Sequence, residues 1–325
     1  MRVLFVGDVM LGRLVNETLR GASQDYPWGD TLSIFTEADV RFCNLECVIS
    51  DRGTPWRVTP KVFHFRSDAK NIETLKIAGI DAVSIANNHT LDFEYEAMFE
   101  MIEILDEAGI FHAGAGANFG EASRPALFEV RGIKIGLIAF TDNEPEWEAT
   151  AQKPGIFYVP IDMKDDRAKK LSEIVRQTKK EVDLLIVSTH WGPNWGYRPH
   201  PSHTPFGHAL IDHGADIVFG HSCHVFQGIE IYQGRPILYS TGDFIDDYAV
   251  DEIERNDESF IFLANTQEGQ IKNLNLYPIV IRGFQARLAR DREAKRIAGK
   301  MEERCAEFKT SVRWNEEERK LEILL

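Results

Sequence analysis

Between residues 182 and 244 the chain reads VDLLIVSTHWGPNWGYRPHPSHTPFGHALIDHGADIVFGHSCHVFQGIEIYQGRPILYSTGDF, and this stretch narrows the folds open to it more than any other. Two short β-branched runs, residues 184–187 and 217–219, each lead into a histidine, His190 and His221. Runs that are apolar at every position are strands buried on both faces, as in parallel sheets. Residues 205–213 between them have the composition of a helix, stopped by Gly214. Strand, helix and strand, with a polar residue at each strand end, predict an α/β sheet. Open α/β sheets place ligands at the carboxyl ends of their strands. Seven of the ten histidines fall in this stretch.

The same grammar recurs upstream. Residues 3–6 form an apolar run ending in Gly7-Asp8, and residues 39–43 end in Asn44-Leu45-Glu46. Residues 81–86 end in Asn87-Asn88-His89-Thr90-Leu91-Asp92. Asp8 alone reads equally as a metal ligand or as the cap of the next helix. Asn44 and Glu46 point to one side if the backbone stays extended there. Helices are predicted over 68–78 and 95–108, each stopped by a glycine (Gly79, Gly109). Residues 52–66 carry Gly53, Pro55 and Pro60 and read as an irregular excursion. Its Trp56, Phe63 and Phe65 would lie on the protein or over a cleft. Further strands are expected over 111–116 and 124–140, with a turn at Arg131-Gly132, and a helix over 163–180. A hairpin is expected around Glu268-Gly269, then a charged helix over 287–308 and a terminal hairpin over 311–325.

Composition sets outer limits. With 37 Lys and Arg against 51 Asp and Glu, the formal charge is −14, which argues against a nucleic-acid surface. An anionic substrate stays compatible, because bound divalent ions reverse the local sign. The four cysteines form no CxxC pair and fit a reduced, cytoplasmic protein. No apolar run is long enough to span a bilayer, and no signal-peptide pattern opens the chain.

Gathered from the strand ends, Asp8, Glu46, Asn88, His89, His190, His221 and His224 are a set of carboxylates, amide and imidazoles. Such donors suit divalent Mn, Fe or Zn. Two ions about 3.5–4 Å apart suit phosphoester cleavage, because they stabilise both the attacking and the leaving oxygen. In this order the residues resemble the calcineurin-like metallophosphoesterases. The fuller wording of GDVMLGR, NLE, ANNHTLDF, HWG, GADIVFGHSCHVFQGIE and STGDF resembles the CapA branch, linked to poly-γ-glutamate capsule synthesis.

The resemblance implies a four-layer sandwich, two central β-sheets flanked by helices, over residues 1–284, with residues 285–325 packed on it as a C-terminal extension. It implies that one or two divalent ions bind. Asp8 would ligate the first, Glu46 would stand in for the bridging aspartate, and Asn88 and His190 would ligate the second. His221 and His224 would be shared. His89 would protonate the leaving oxygen or hold the transition-state charge, oriented by Asp92, and Arg13 would hold a substrate anion. Two departures stand out. The general pattern has histidine where this chain has Met10, and a thioether is a poor ligand for these ions. It also separates its last two histidines by one residue, where Ser222 and Cys223 intervene here. His203 is a candidate replacement ligand, although a solvated loop histidine is the plainer reading. Trp191 and Trp195 would stack on a substrate or pack the pocket wall. Asp243 would orient a ligand histidine.

These readings lead to a metal-dependent hydrolase acting on a small anionic or phosphoester substrate. The alternatives are a factor that binds or transfers poly-γ-glutamate and a non-catalytic scaffold. An acidic polymer would need basic contacts, and the main cluster on offer is Arg52, Arg57, Lys61 and Arg66.

Overall fold

The first strand, Arg2–Val9, is apolar on both faces because each face is covered by a different core. Val3 and Phe5 point into one apolar layer, and Leu4 and Val6 into another. A computed structural model describes all residues, Met1–Leu325. In it this strand lies inside a ten-stranded mixed sheet. Val40–Leu45, Ala82–Ser84 and Phe111–Ala113 follow it in parallel on one side. The antiparallel hairpin Glu258–Gln267 and Gln270–Arg282 lies on the other. A six-stranded sheet holds Ile133–Thr141, Leu184–His190, Ile217–His221 and Arg235–Leu238, parallel to one another, with antiparallel edges.

The sheets pack face to face. Phe5 stacks on Phe42 at 5.2 Å and tilts against Phe219 of the smaller sheet at 5.1 Å. Ile135, Leu137 and Ile186 complete this middle layer from the smaller sheet. Outside the larger sheet, helix Glu94–Glu107 buries Ala97, Met98, Met101 and Leu105. Outside the smaller one, helix Asp166–Lys179 buries Ala168, Leu171 and Val175, and helix His203–Asp212 buries Phe206, Leu210 and Ile211. The result is the expected four-layer α/β sandwich.

Local departures have local causes. The helix expected from Asp68 opens as a tight turn, Ala69–Asn71, before Ile72–Ile77, and the Asp68 carboxylate accepts from Asn16 Nδ2 rather than capping. The charged C-terminal helix starts only at Asp291. Gln285–Leu288 before it is a strand paired with Gln270–Arg282. That helix buries Ala294, Ile297, Ala298, Met301 and Cys305 in the layer between the sheets. Its Arg296 and Lys300 reach the fully buried Glu258 at 2.6 and 2.8 Å. The terminal hairpin, Arg313–Asn315 with Lys320–Leu324, extends the larger sheet.

Candidate metal centre

Asp8, His190 and His221 sit at the carboxyl ends of parallel strands, Glu46, Asn88 and His224 in the loops just beyond such ends, and glycines let those ends approach. A Cβ on Gly7 would stand 1.7 Å from Gly242 O, and one on Gly220 would stand 2.3 Å from Tyr239 O. Only glycine fits contacts that close. Asp8, directly after Gly7, donates its N–H to Gly242 O at 3.0 Å. His221 follows Gly220 in the same way, and its strand places it in register with His190.

The side chains converge on two adjoining points. Asp8, His190 and His221 offer ligand atoms that all lie within 4.8 Å of one another, and so do those of Asp8, Glu46, His224 and Asp243. Asp8 belongs to both groups. His190 Nδ1 and His221 Nδ1 are 2.9 Å apart. Ser188 Oγ lies 2.8 Å from His221 Nε2, and in the tautomer whose Nε2–H donates to that hydroxyl, Nδ1 faces the same point bare. Asn44 Nδ2 donates to Asp8 Oδ1 at 2.8 Å and is itself held by Asn87, which donates to Asn44 Oδ1.

Several buried oxygens here lack any partner: Asp8 Oδ2, Glu46 Oε2, Asn88 Oδ1, Asp243 Oδ2 and Asp246 Oδ2. Unpaired buried polar atoms are costly, and this many in one place require an explanation. Burial pushes the Asp8 carboxyl up to about 6. Glu46 is raised well above the carboxylate range by burial and then by Asp8, and Asp243 likewise by burial and then by Asp8. Burial holds His190 well below its ordinary value and His221 down at about 3, so both imidazoles are neutral donors. Crowded carboxylates beside neutral imidazoles fit a divalent cation, which would supply the missing charge and partners.

His89 stands beside this cluster, buried, with Phe65 stacked on its ring at 3.9 Å. Its Nδ1 is 2.6 Å from Asp92 Oδ2, and its Nε2 lies 3.9 Å from Glu46 Oε1. Burial, then the charge of Lys61, lowers the His89 pKa well below its usual range, while burial raises Asp92 to about 7. Lys61 comes from the irregular excursion. Its Nζ donates to Asn88 O at 2.6 Å and pairs with Glu144 at 3.1 Å and Asp92 at 3.4 Å. Arg13 also lines the site, its Nε held by Asp247 at 3.2 Å. Above lies a cavity of about 550 Å³, walled by Arg13, Lys61, Phe63, His89, Trp195 and Tyr248.

Residues 2–248 match the family described as "Bacterial capsule synthesis protein PGA_cap". The chain belongs to this family. Among its relatives, the "Probable polyglutamine synthesis accessory protein" of Mycobacterium tuberculosis is 35% identical over 275 residues, covering 82% of this chain and 72% of that protein. The "Capsule biosynthesis protein CapA" of Bacillus anthracis is 29% identical, covering 76% of this chain and 60% of that one. The "PGA biosynthesis protein CapA" of Bacillus subtilis is 27% identical, covering 75% and 62%. Two solved structures share the fold. A hypothetical protein from Thermus thermophilus superposes with a TM-score of 0.51 at 15% identity, over 86% of this chain and 98% of that one. A phosphatase from Mycoplasma pneumoniae superposes with a TM-score of 0.50 at 14% identity, over 88% and 90%.

Within this PGA_cap chain, Met10 is fully buried and its Sδ accepts the Gly12 N–H at 3.0 Å. His203 is neither in the cluster nor solvated. It is buried at the start of its helix, stacked on Trp191 at 4.5 Å, because Gly192 leaves room for the ring. Trp191 is core, with Nε1 donating to Tyr239 O, while Trp195 is 44% exposed and forms cavity wall. The Cys223 thiol donates to Gly196 O, and burial pushes it up to about 12, leaving it inert. Two residues do more than the sequence reading assigned them: Lys61 was read only within a basic cluster, and Asp243 only as orienting a ligand histidine, a role its 3.0 Å contact with His224 Nδ1 fits. Lys61 lay in a segment with no pattern to read. Asp243 follows Gly242 as Asp8 follows Gly7, a repeat that could have placed it in the ligand set. No helix is long and apolar enough to cross a membrane.

Proposed function

We propose that this chain is a metal-dependent phosphoester hydrolase. Asp8, Glu46, Asn88, His190, His221 and His224 would hold one or two divalent ions, Mn, Fe or Zn. Bound there, such ions supply Lewis acidity toward water and the phosphoryl oxygens. The supporting observation is the set of unpartnered buried ligand atoms, drawn from separate segments and converging beside the His89–Asp92 pair, with Asn88, His89 and His224 reaching the cavity wall. Asp92 fixes the His89 ring, so that Nε2 faces the cavity for proton transfer at the leaving oxygen. Phe65 holds the ring plane and shields it from water. Arg13 lines the wall where a substrate anion would lie. The cytoplasmic location belongs to the same proposal, in keeping with four unpaired, buried cysteines.

The relatives' names favour a second reading, in which the cavity takes poly-γ-glutamate without phosphoester chemistry. It is the weaker one, because only two cationic side chains, Arg13 and Lys61, line the cavity, enough for one small anion but not for a polyanion. The test is turnover of aryl phosphomonoesters, phosphodiesters and nucleotides by Mn- or Zn-loaded protein and by its His89→Ala variant. The variant should keep its metal and lose roughly 10²–10⁴-fold in rate. Fully metallated wild-type protein that cleaves none of these substrates would reject the hydrolase.

A further inference from the structure

We propose that Asp243 is a direct metal ligand, supplying the donor that Met10 cannot, and that it splits the centre into two chemically unlike positions. The inference rests on the metal-binding part of the proposed function and is independent of its catalytic part. Strand Asp243–Ile245 runs parallel to the first strand with Asp243 in register with Asp8. The Gly7–Gly242 contact presses the two backbones together at that point, so both carboxylates emerge side by side. Asp243 is fully buried. Its Oδ1 accepts from His224 Nδ1 at 3.0 Å, while its Oδ2 has no partner, and the carboxylate belongs to the group with Asp8, Glu46 and His224. One oxygen therefore orients the histidine and the other is left for an ion. Met10 offers no donor here, because its sulfur is taken up by the Gly12 amide.

The consequence is a difference in hardness. One position has three carboxylates and one imidazole; the other has a single carboxylate and two imidazoles. Oxygen-rich, highly anionic sites favour harder ions such as Mn²⁺ or Mg²⁺, and imidazole-rich sites favour Zn²⁺. The geometry points to a mixed-metal centre, with Mn²⁺ at the Asp243 position and Zn²⁺ at the His190–His221 position.

The test uses full-length protein stripped with chelator and reloaded with Mn²⁺ and Zn²⁺, separately and together. Metal is counted by mass spectrometry, and Mn²⁺ is followed by electron paramagnetic resonance. Wild type should hold one ion of each kind. Asp243→Asn still offers an oxygen to His224 but loses the charge. It should bind Mn²⁺ at least about 100-fold more weakly, a loss at the upper end of what a supporting residue alone produces, and keep its Zn²⁺. His190→Ala should do the reverse. The Mn²⁺ signal of wild type, which needs no variant to fold, should show coupling to one imidazole nitrogen. Unchanged Mn²⁺ affinity in Asp243→Asn, or coupling to two nitrogens, would reduce Asp243 to orienting His224. A wild type that binds only one ion would end the two-position inference and leave a mononuclear hydrolase standing. Full loading without turnover would reject the hydrolase and leave this inference intact.

Discussion

Asp8 and Asp243 stand in register on neighbouring parallel strands, each directly after a glycine, and the Asp8 amide donates to Gly242 O at 3.0 Å. Both carboxylates are buried, and each keeps one oxygen without a partner. Asp8 alone is common to both ligand groups, so its loss should be felt twice.

Asp8→Ala is expected to abolish binding at both positions, whereas Glu46→Ala and His190→Ala should each lower bound metal by at most one ion per chain. Wild type at a metal concentration of 100 times Kd should gain about 2.7 kcal/mol of stability, and Asp8→Ala should gain none. Metal counting and thermal melts with and without chelator check this. Equal stoichiometry in Asp8→Ala and His190→Ala would contradict the sharing.

Gly7→Ala should disrupt the fold more than its size suggests. The new methyl would stand 1.7 Å from Gly242 O, a backbone atom that cannot swing away. Strand separation at this point would cost about 3 kcal/mol or more, at the upper end for overpacking. Denaturant melts measure the loss, and a variant within about 0.5 kcal/mol of wild type would show that the strands are less tightly held.

Lys61→Ala should loosen the excursion and slow turnover together. The ammonium ties that segment to Asn88, Glu144 and Asp92, and removing it leaves buried carboxylate unbalanced. A stability loss of about 1–3 kcal/mol is expected, with faster amide exchange over residues 57–66. Hydrogen exchange followed by mass spectrometry reads this directly. Unaltered exchange there would mean that Trp56 and Phe65, both buried, anchor the segment by themselves.

His203 should make the protein acid-sensitive away from the metal centre. Burial, then the charge of His200, holds its pKa down at about 4, against about 6.5 for an unperturbed imidazole. Between those values the unfolded chain binds the proton and the folded chain does not, so stability falls as pH drops through that window. Its contribution is fully present above about pH 6.5, and roughly 1–3 kcal/mol of it is lost by pH 4. His203→Phe keeps the stack on Trp191 and should flatten this part of the profile. Parallel slopes for variant and wild type would reject the assignment.

The architecture was legible where the sequence was periodic. The parallel strands were readable because burial on both faces leaves continuous apolar runs, and the Glu268-Gly269 hairpin because its turn residues are specific. The strand Gln285–Leu288 was not read as a strand, and its last two residues fell within the expected helix 287–308, since four residues at a sheet edge carry too little pattern to separate. Asp8, Glu46, His190, His221 and His224 could be gathered because each ends a recognisable run. His203 could not be placed, because stacking on Trp191 depends on a cavity that Gly192 opens from another segment. The tie made by Lys61, read from sequence only within a basic cluster, was hidden for a similar reason: its partners Asn88, Asp92 and Glu144 come together only in three dimensions.

The pairing of Asp8 with Asp243 joins two ends of the family-matched region. No growing or partly unfolded chain that lacks the strand Asp243–Ile245 can close the centre, because that strand carries the last of the converging carboxylates. A bound ion would therefore stabilise against global unfolding and do little against fraying at the edges. Metal content becomes a reporter of completed topology. A preparation that retains secondary structure but cannot hold its ions would be one in which the strands have formed and the seam between the first strand and Asp243–Ile245 has not closed.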